Sequence, residues 1–333
     1  MEILPVVWSA LLALAILMYV ILDGFDLGVG ILFPWGRDQE ERDTMMNSVA
    51  PVWDGNETWL ILGGGGLFAA FPQAYGVLMS ALYIPVLVML FALIFRGVAF
   101  EFRFKSDRSR GVWDHAFNFG SSLAAFAQGI ILGAYIQGIE VRNGTFAGGA
   151  LDWLTPFSIM TGFALMCGYS LLGATWLVIK TEGELQRWAY QAASLLLVII
   201  AAWLAMVSLW TPLVEAEVAA RWFTWPNVLL LSPVPVVTVA VVIALWRALR
   251  AGHERAPFVL SVAVFVLGFI GLAVSLWPYT VPRALTIWET AAPPASQGFL
   301  LVGAVILLPV ILGYTAFSYR VFRGKVAAGQ DYH

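Results

Sequence analysis

The chain has 333 residues, of which 60% are apolar and 12% are charged, and its formal net charge is −3. A soluble domain usually carries about 25% charged residues, so this composition excludes an ordinary water-soluble protein and indicates an integral membrane protein. A single cysteine, Cys167, excludes an internal disulfide, and no cysteine–histidine spacing indicates a metal cluster. The sequence contains no phosphate-binding loop and no basic patch, so nucleic acid is not an expected partner.

Nine apolar stretches along the chain reach the length that crosses a bilayer, which is about 20 residues. The second is the least apolar, because it opens with polar residues and contains four consecutive glycines from Gly63 to Gly66. We predict an all-α membrane protein in which residues 1–333 form one transmembrane domain, with a polar motif region at 20–115 and further helices at 116–333. The predicted spans are 6–33, 52–72, 76–97, 115–139, 155–179, 188–212, 226–248, 257–278 and 297–322.

The basic residues between these spans predict their orientation. With an external N-terminus, three basic residues fall in outer loops, namely Arg142, Arg221 and Arg283, and fourteen fall in inner segments. Lys and Arg are retained on the cytoplasmic side of membrane proteins. We therefore predict a periplasmic N-terminus and a cytoplasmic C-terminus. The fourteen inner residues are Arg37, Arg42, Arg103, Lys105, Arg108, Arg110, Lys180, Arg187, Arg247, Arg250, Arg255, Arg320, Arg323 and Lys325.

Two acidic motifs stand out in the first two spans, Asp23-Gly-Phe-Asp26 and Asp54-Gly-Asn-Glu57. The acids of each motif are three residues apart, so they share one face of a helix. Ionisable groups within a membrane are costly and usually mark a proton relay, an ion pathway or a partner contact. The predicted orientation, with a rise of about 1.5 Å per residue, places all four acids near the cytoplasmic edge.

Arg96 and Glu101 lie at the inner end of the third span, at the same predicted depth. Two interpretations of the six charged groups remain open. In the first, the acids cap helices and pair with Arg96, which would neutralise Asp23 or Asp26. In the second, they form a hydrated inlet that admits protons from the cytoplasm, and the surplus of acid over base favours this interpretation.

Gly24 and Gly28 form a G-x-x-x-G pattern within the first motif, which predicts close contact with another helix. Haem b normally takes His or Met ligands inside a helix bundle. The histidines His115, His253 and His333 fall at a helix edge, in an inner loop and at the last residue. A methionine within a span is far more often a packing residue than a ligand. We therefore expect this chain to bind no haem through its own side chains.

The motifs together resemble subunit II of cytochrome bd-type quinol oxidases across nearly the whole chain, and the short length is similar to the cyanide-insensitive branch. The segments that carry the resemblance are Asp23-Gly-Phe-Asp26-Leu-Gly-Val-Gly30, Asn47-Ser-Val-Ala-Pro-Val-Trp-Asp54-Gly-Asn-Glu57-Thr-Trp59, Phe68-Ala-Ala-Phe-Pro72, Phe95-Arg96-Gly-Val-Ala-Phe-Glu101, Gly173-Ala-Thr-Trp176, Lys180-Thr-Glu-Gly-Glu184, Trp277-Pro-Tyr279 and Leu285-Thr-Ile-Trp288-Glu289.

The resemblance implies an enzyme of the bacterial cytoplasmic membrane that oxidises a quinol and reduces O2 to water. It implies that haems b558, b595 and d sit in subunit I, with which a haem-free subunit II pairs, and that a small accessory subunit and membrane lipid are further partners. It also implies that subunit II helps to take up protons, with Asp54 at the position of the family's Trp-Asp-Gly-Asn acid. Some members hold a structural quinone in subunit II.

One segment departs from the family pattern. Residues 291–296 are rich in proline where the family usually has serine and threonine, so no role is assigned to that loop. Two alternatives remain open beside proton delivery. A secondary transporter would also use many helices and polar groups, but it would place them near the membrane midplane. A purely structural assembly subunit would use the acids only as pairing partners.

Overall fold

The computed structural model describes residues 3–106, 108–214 and 216–326. Within these ranges the chain forms twelve α-helices and two short antiparallel hairpins. The helices are α1 Ile3–Leu32, which a 3-10 turn at Phe33–Trp35 follows, α2 Gln39–Asn47, α3 Trp53–Ala70, α4 Pro72–Phe102, α5 Arg110–Gln137, α6 Pro156–Lys180, α7 Gly183–Val214, α8 Ala216–Phe223, α9 Asn227–Leu231, α10 Pro233–Arg250, α11 Ala256–Leu276 and α12 Pro294–Val321. The strands are β1 Val141–Arg142, β2 Thr145–Phe146, β3 Tyr279–Val281 and β4 Leu285–Thr286.

Eight segments of the described chain are long and apolar enough to cross a membrane, which confirms the predicted all-α membrane class. The exception among the nine predicted spans is 52–72, which forms α3 but opens with Asp54, Asn56 and Glu57. Its 18 residues extend about 27 Å, slightly less than the roughly 30 Å apolar core of a bilayer. What distinguishes α3 from the other eight segments is therefore its polar first turn, and not a break in the helix.

Proline fixes where many of these helices begin. In α4, α6, α10, α11 and α12 a proline occupies the first or second helical position, where its missing N–H would have no partner within the helix in any case. At α6 a capping box adds to this, because Thr155 accepts from the Ser158 backbone N–H at 3.0 Å and Ser158 accepts from the Thr155 backbone N–H at 2.9 Å.

The bundle is built around α1, which packs against α3, α5 and α6. Contact between α1 and α6 is backbone to backbone, because a Cβ at Gly28 would overlap the carbonyl oxygen of Tyr169 and lie 2.9 Å from the nitrogen of Gly173. A Cβ at Gly24 would lie 2.8 Å from the Tyr169 ring. The G-x-x-x-G pattern on α1 therefore faces α6, and Phe25 between these glycines stacks on Trp176 of α6 at 4.3 Å.

The last helix, α12, is peripheral. It contacts α1 and α3, but Gln297 at its start is the one residue of α12 that is buried. Its far end is fixed by residues 322–326, which we call the C-terminal strap. Lys180 at the end of α6 donates to the carbonyl oxygens of Phe322 and, at 3.2 Å, of Gly324. Lys325 in the strap donates to the Thr181 carbonyl at 3.2 Å and to Glu254 at 2.8 Å.

The predicted orientation can be tested by reporter fusions. A reporter placed after Arg103, beyond α4, and another placed after the C-terminus are both expected to report the cytoplasm, because the basic residues concentrate on that side. A reporter placed in the β1–β2 hairpin, at Gly144, is the matched external control. An external C-terminus would contradict both the orientation and the depth assigned to the acids.

Candidate functional site: a buried acid–arginine cluster

Four charged side chains meet inside the bundle, and we call them the acid–arginine cluster: Asp23 and Asp26 of α1, Glu57 of α3 and Arg96 of α4. Asp23, Asp26 and Arg96 are each 0% exposed. Arg96 Nη1 lies 2.6 Å from Asp23 Oδ1 and 3.9 Å from Glu57 Oε2, and its Nη2 lies 3.8 Å from Asp26 Oδ2. One guanidinium thus faces three carboxylates, of which those of Asp23 and Asp26 are fully buried.

Local sequence explains how the cluster forms. The i,i+3 spacing of Asp23 and Asp26 turns both carboxylates to one face of α1, and α3 packs on α1, so that Glu57 reaches the same region. Arg96 is brought in by close contact between α4 and α5. A Cβ at Gly120 of α5 would lie 2.7 Å from the carbonyl oxygen of Ala92, one turn before Arg96.

A hydrogen-bonded chain connects Asp26 to the last helix. Tyr319 of α12 donates to Asn56 Oδ1 at 2.8 Å, and Asn56 Nδ2 donates to Asp26 Oδ2 at 2.7 Å. Asn56 is 1% exposed. The sequence motif contained Asn56 but gave no sign of its role, and Tyr319 lies more than 200 positions along the chain from its partner.

A second chain runs from α6 towards Asp23. Tyr169 donates to Gln128 Oε1 at 2.8 Å, and Gln128 Nε2 donates to the hydroxyl oxygen of Tyr19 at 2.7 Å. Because the Tyr19 oxygen accepts this bond, its own proton remains available to a neighbouring acceptor. Asp23 lies one turn further along α1 and interacts electrostatically with Tyr19. These three residues could not be recognised from the sequence, because single Tyr and Gln residues are common inside helices.

Two of the predicted site residues lie outside the cluster. Asp54 is exposed at the start of α3, one turn before Glu57, with which it interacts electrostatically. Glu101 is 66% exposed and pairs with Lys105 at 3.2 Å, four residues further along the chain. The structure therefore brings together Asp23, Asp26, Glu57 and Arg96, whereas Asp54 and Glu101 occupy the surface nearby.

A second ionic cluster joins α2, α4 and α5 and was not recognised in the sequence. Arg103 is 0% exposed and donates to Asp114 at 2.5 Å, to Asp43 at 2.6 Å and to Gln39 at 3.1 Å. Its guanidinium carbon also lies 5.3 Å from the centre of the Phe33 ring. From its position in the sequence Arg103 is only a basic residue of an inner loop, but in the structure it binds the segment between α1 and α3 to the rest of the bundle.

No described residue offers an obvious ligand to a metal. The described part of the chain holds no group of three His, Cys, Asp or Glu side chains that could bind an ion. His115 and His253 are both exposed, and His333 lies outside the described residues. The exposed positions of His115 and His253 do not fit an axial haem ligand, which faces the interior of a bundle.

The fold and the cluster define a multi-pass membrane protein with ionisable groups held inside its helix bundle, a class in which such groups usually serve proton or ion movement. The family model described as cytochrome bd terminal oxidase subunit II matches residues 4–322. The chain belongs to this family.

Curated relatives agree with the family model. The chain is 29% identical over 364 residues to cytochrome bd-I ubiquinol oxidase subunit 2 of Escherichia coli K12, covering 98% of this chain and 96% of the relative. It is 30% identical over 333 residues to cytochrome bd ubiquinol oxidase subunit 2 of Bacillus subtilis 168, covering 96% of each. The bd oxidase of Geobacillus thermodenitrificans shares the fold with a TM-score of 0.73 at 16% identity, covering 96% of this chain and 98% of that one.

Several predictions from sequence are confirmed by these matches. The chain is a subunit of a quinol oxidase complex and a multi-pass protein of the bacterial inner membrane. As a subunit II it forms a complex with subunit I, and the family implies haems within that complex. The assignment favours the oxidase interpretation over the secondary transporter.

Proposed function

We propose that this chain is the haem-free subunit of its oxidase and that it delivers protons from the cytoplasm while it supports subunit I. The observation that carries this proposal is the acid–arginine cluster. In this cluster three carboxylates share one guanidinium. Asp23, Asp26 and Arg96 are each 0% exposed. Full ionisation would leave two uncompensated negative charges in a medium that solvates charge poorly, so binding a proton relieves repulsion between the acids.

The acids form a series that leads from the surface into the bundle. Asp54 is exposed, Glu57 has 27% of its side chain exposed, and Asp23 and Asp26 are fully buried. In this proposal Asp54 takes a proton from water, Glu57 passes it inwards, and Asp23 and Asp26 hold it beside Arg96. Glu101, which is exposed and paired with Lys105, is proposed as a further surface acid of this path.

The remaining parts of the complex are assigned by family resemblance. We infer that haems b558, b595 and d are held by subunit I, because the described histidines of this chain are exposed. A structural quinone, a small accessory subunit and bound lipid are further proposed components, and no residue of this chain is assigned to them. Residues 1–333 are proposed to act as one transmembrane domain.

The test is quinol-driven O2 consumption by the assembled complex, normalised to haem content. Asp54→Asn is expected to lower the rate at least about tenfold, because an amide of the same shape cannot take and release a proton. Asp54→Glu is expected to retain more activity, and the haem spectrum should stay intact in both variants.

Glu40→Gln is the matched control, since Glu40 is an exposed acid on α2 that lies outside the cluster. It is expected to turn over at the wild-type rate. If Asp54→Asn also turned over at the wild-type rate, Asp54 would be a helix-start residue and the inlet would not begin there. Asp26→Asn tests the buried end of the series in the same assay.

A further inference from the structure

Asn56 is held in one orientation by all three of its side-chain hydrogen bonds. Its Nδ2 donates to Asp26 Oδ2 at 2.7 Å and to the Leu22 carbonyl at 3.2 Å, while its Oδ1 accepts from Tyr319 at 2.8 Å. The Asp26 and Leu22 oxygens accept hydrogen bonds on one side of the amide, and the Tyr319 hydroxyl donates on the other. These partners decide which end of the amide is nitrogen. A rotated amide would set its oxygen against the Asp26 carboxylate.

This orientation distinguishes the two oxygens of Asp26. Oδ2 receives the hydrogen bond from Asn56, whereas Oδ1 is buried and has no hydrogen-bond partner among the described residues. Arg96 approaches Asp26 Oδ2 only to 3.8 Å. The Asn56 amide is therefore the group that orients the Asp26 carboxylate. The other oxygen of Asp26, Oδ1, has no hydrogen-bond donor in the described part of the chain to release before it binds a proton.

Tyr319 lies between ring contacts with the bundle, including one with Trp176 at 6.2 Å, and the C-terminal strap that follows it. Most of α12 is exposed, and Tyr314, five residues before Tyr319, is 67% exposed. The strap begins three residues after Tyr319 and is bound by Lys180 through the carbonyl oxygens of Phe322 and Gly324. The ring of Tyr319 also meets Phe25 edge to face, with centroids 6.3 Å apart.

We propose that Tyr319 is a positioning residue for proton delivery, which acts through Asn56 to hold the Asp26 carboxylate in one orientation. This inference rests on the proposed function, because it gives Asp26 a role in the proton series. The last helix thereby contributes the Tyr319 hydroxyl to the site, through the Asn56 amide.

The first measurement is steady-state turnover of the assembled complex carrying Tyr319→Phe, which keeps the ring and removes the hydroxyl. Loss of one hydrogen bond of this kind is expected to lower kcat about three- to tenfold. The KM for quinol and the haem content are expected to stay at wild-type values. Tyr314→Phe, on the exposed side of the same helix, is the matched control and should not change kcat.

The second measurement is non-additivity, which a merely structural role would not produce. Tyr319→Phe is combined with Asn56→Leu, or with Asp26→Asn if the Asn56→Leu complex assembles poorly. The double variant should show no further loss of kcat beyond the Asn56→Leu or Asp26→Asn single variant, since both changes interrupt the same hydrogen-bonded chain. Independent, multiplying losses would overturn the proposal. If Asp26→Asn lowers kcat but Tyr319→Phe turns over at the wild-type rate, this inference alone is overturned. If Asp26→Asn itself turns over at the wild-type rate, Asp26 has no part in the proposed function, and this inference is overturned with it.

Discussion

Replacing Arg96 with alanine is expected to prevent assembly of most of the oxidase complex. The substitution removes the one guanidinium that faces Asp23, Asp26 and Glu57, and it leaves carboxylates buried without a counter-charge. Removing one partner from a buried ion pair costs about 3–5 kcal/mol, a large share of the stability of a domain. The measurement is the yield of intact complex per membrane protein, together with its haem content.

Two further variants separate charge from shape. Arg96→Lys keeps the positive charge but loses the planar fork of donors, so it should recover part of the assembly. Arg142→Ala, at a side chain that is 76% exposed on the β1–β2 hairpin, should assemble normally. Normal yield and haem content in Arg96→Ala would mean that the acids are neutralised without Arg96.

Gly28→Ala is expected to be the most damaging single-methyl change in the bundle. The added Cβ would overlap the Tyr169 carbonyl oxygen, and a backbone atom in the middle of α6 cannot rotate aside as a side chain could. Overpacking usually costs about 1–3 kcal/mol, and the rigid neighbour places this change at the upper end. Thermal unfolding of the purified complex measures the loss.

Gly268→Ala supplies the control, because a Cβ at Gly268 of α11 meets nothing within 4 Å. The midpoint temperature of thermal unfolding of the Gly268→Ala complex should stay near the wild-type value or rise slightly, since alanine favours a helix by about 1 kcal/mol over glycine. Equal behaviour of the two variants would show that α1 and α6 can separate at little cost.

The sequence predicts a common depth for the charged residues, which stays a prediction, and it does not predict the direction in which each side chain points. Arg96 and Glu101 lie close in depth, yet five residues turn a helix by about 140° beyond a full turn. Arg96 therefore faces the bundle, whereas Glu101 faces outwards and pairs with Lys105. Of the five acids predicted at one depth, three thus meet inside the bundle and two lie at the surface.

The polar residues around the acids could not be predicted, because their partners are remote in sequence. Asn56 and Tyr319 are 263 positions apart, and Gln128 and Tyr19 are 109 apart. A charge inside a membrane is rare enough to attract notice, whereas a tyrosine or an amide is not. Three-dimensional packing alone decides which of the ten tyrosines reach an acid.

The pairing of α1 with α4 also sets an order for biogenesis. Asp23 is synthesised roughly 70 residues before Arg96, an interval of roughly 4–14 s at translation rates of about 5–20 residues per second. During that time the two carboxylates of α1 have no counter-charge, so the helix gains by staying at the water interface or within the insertion machinery. The arrival of α4 is therefore expected to stabilise α1 at its final depth, so the N-terminal helices are expected to insert as a cooperative unit.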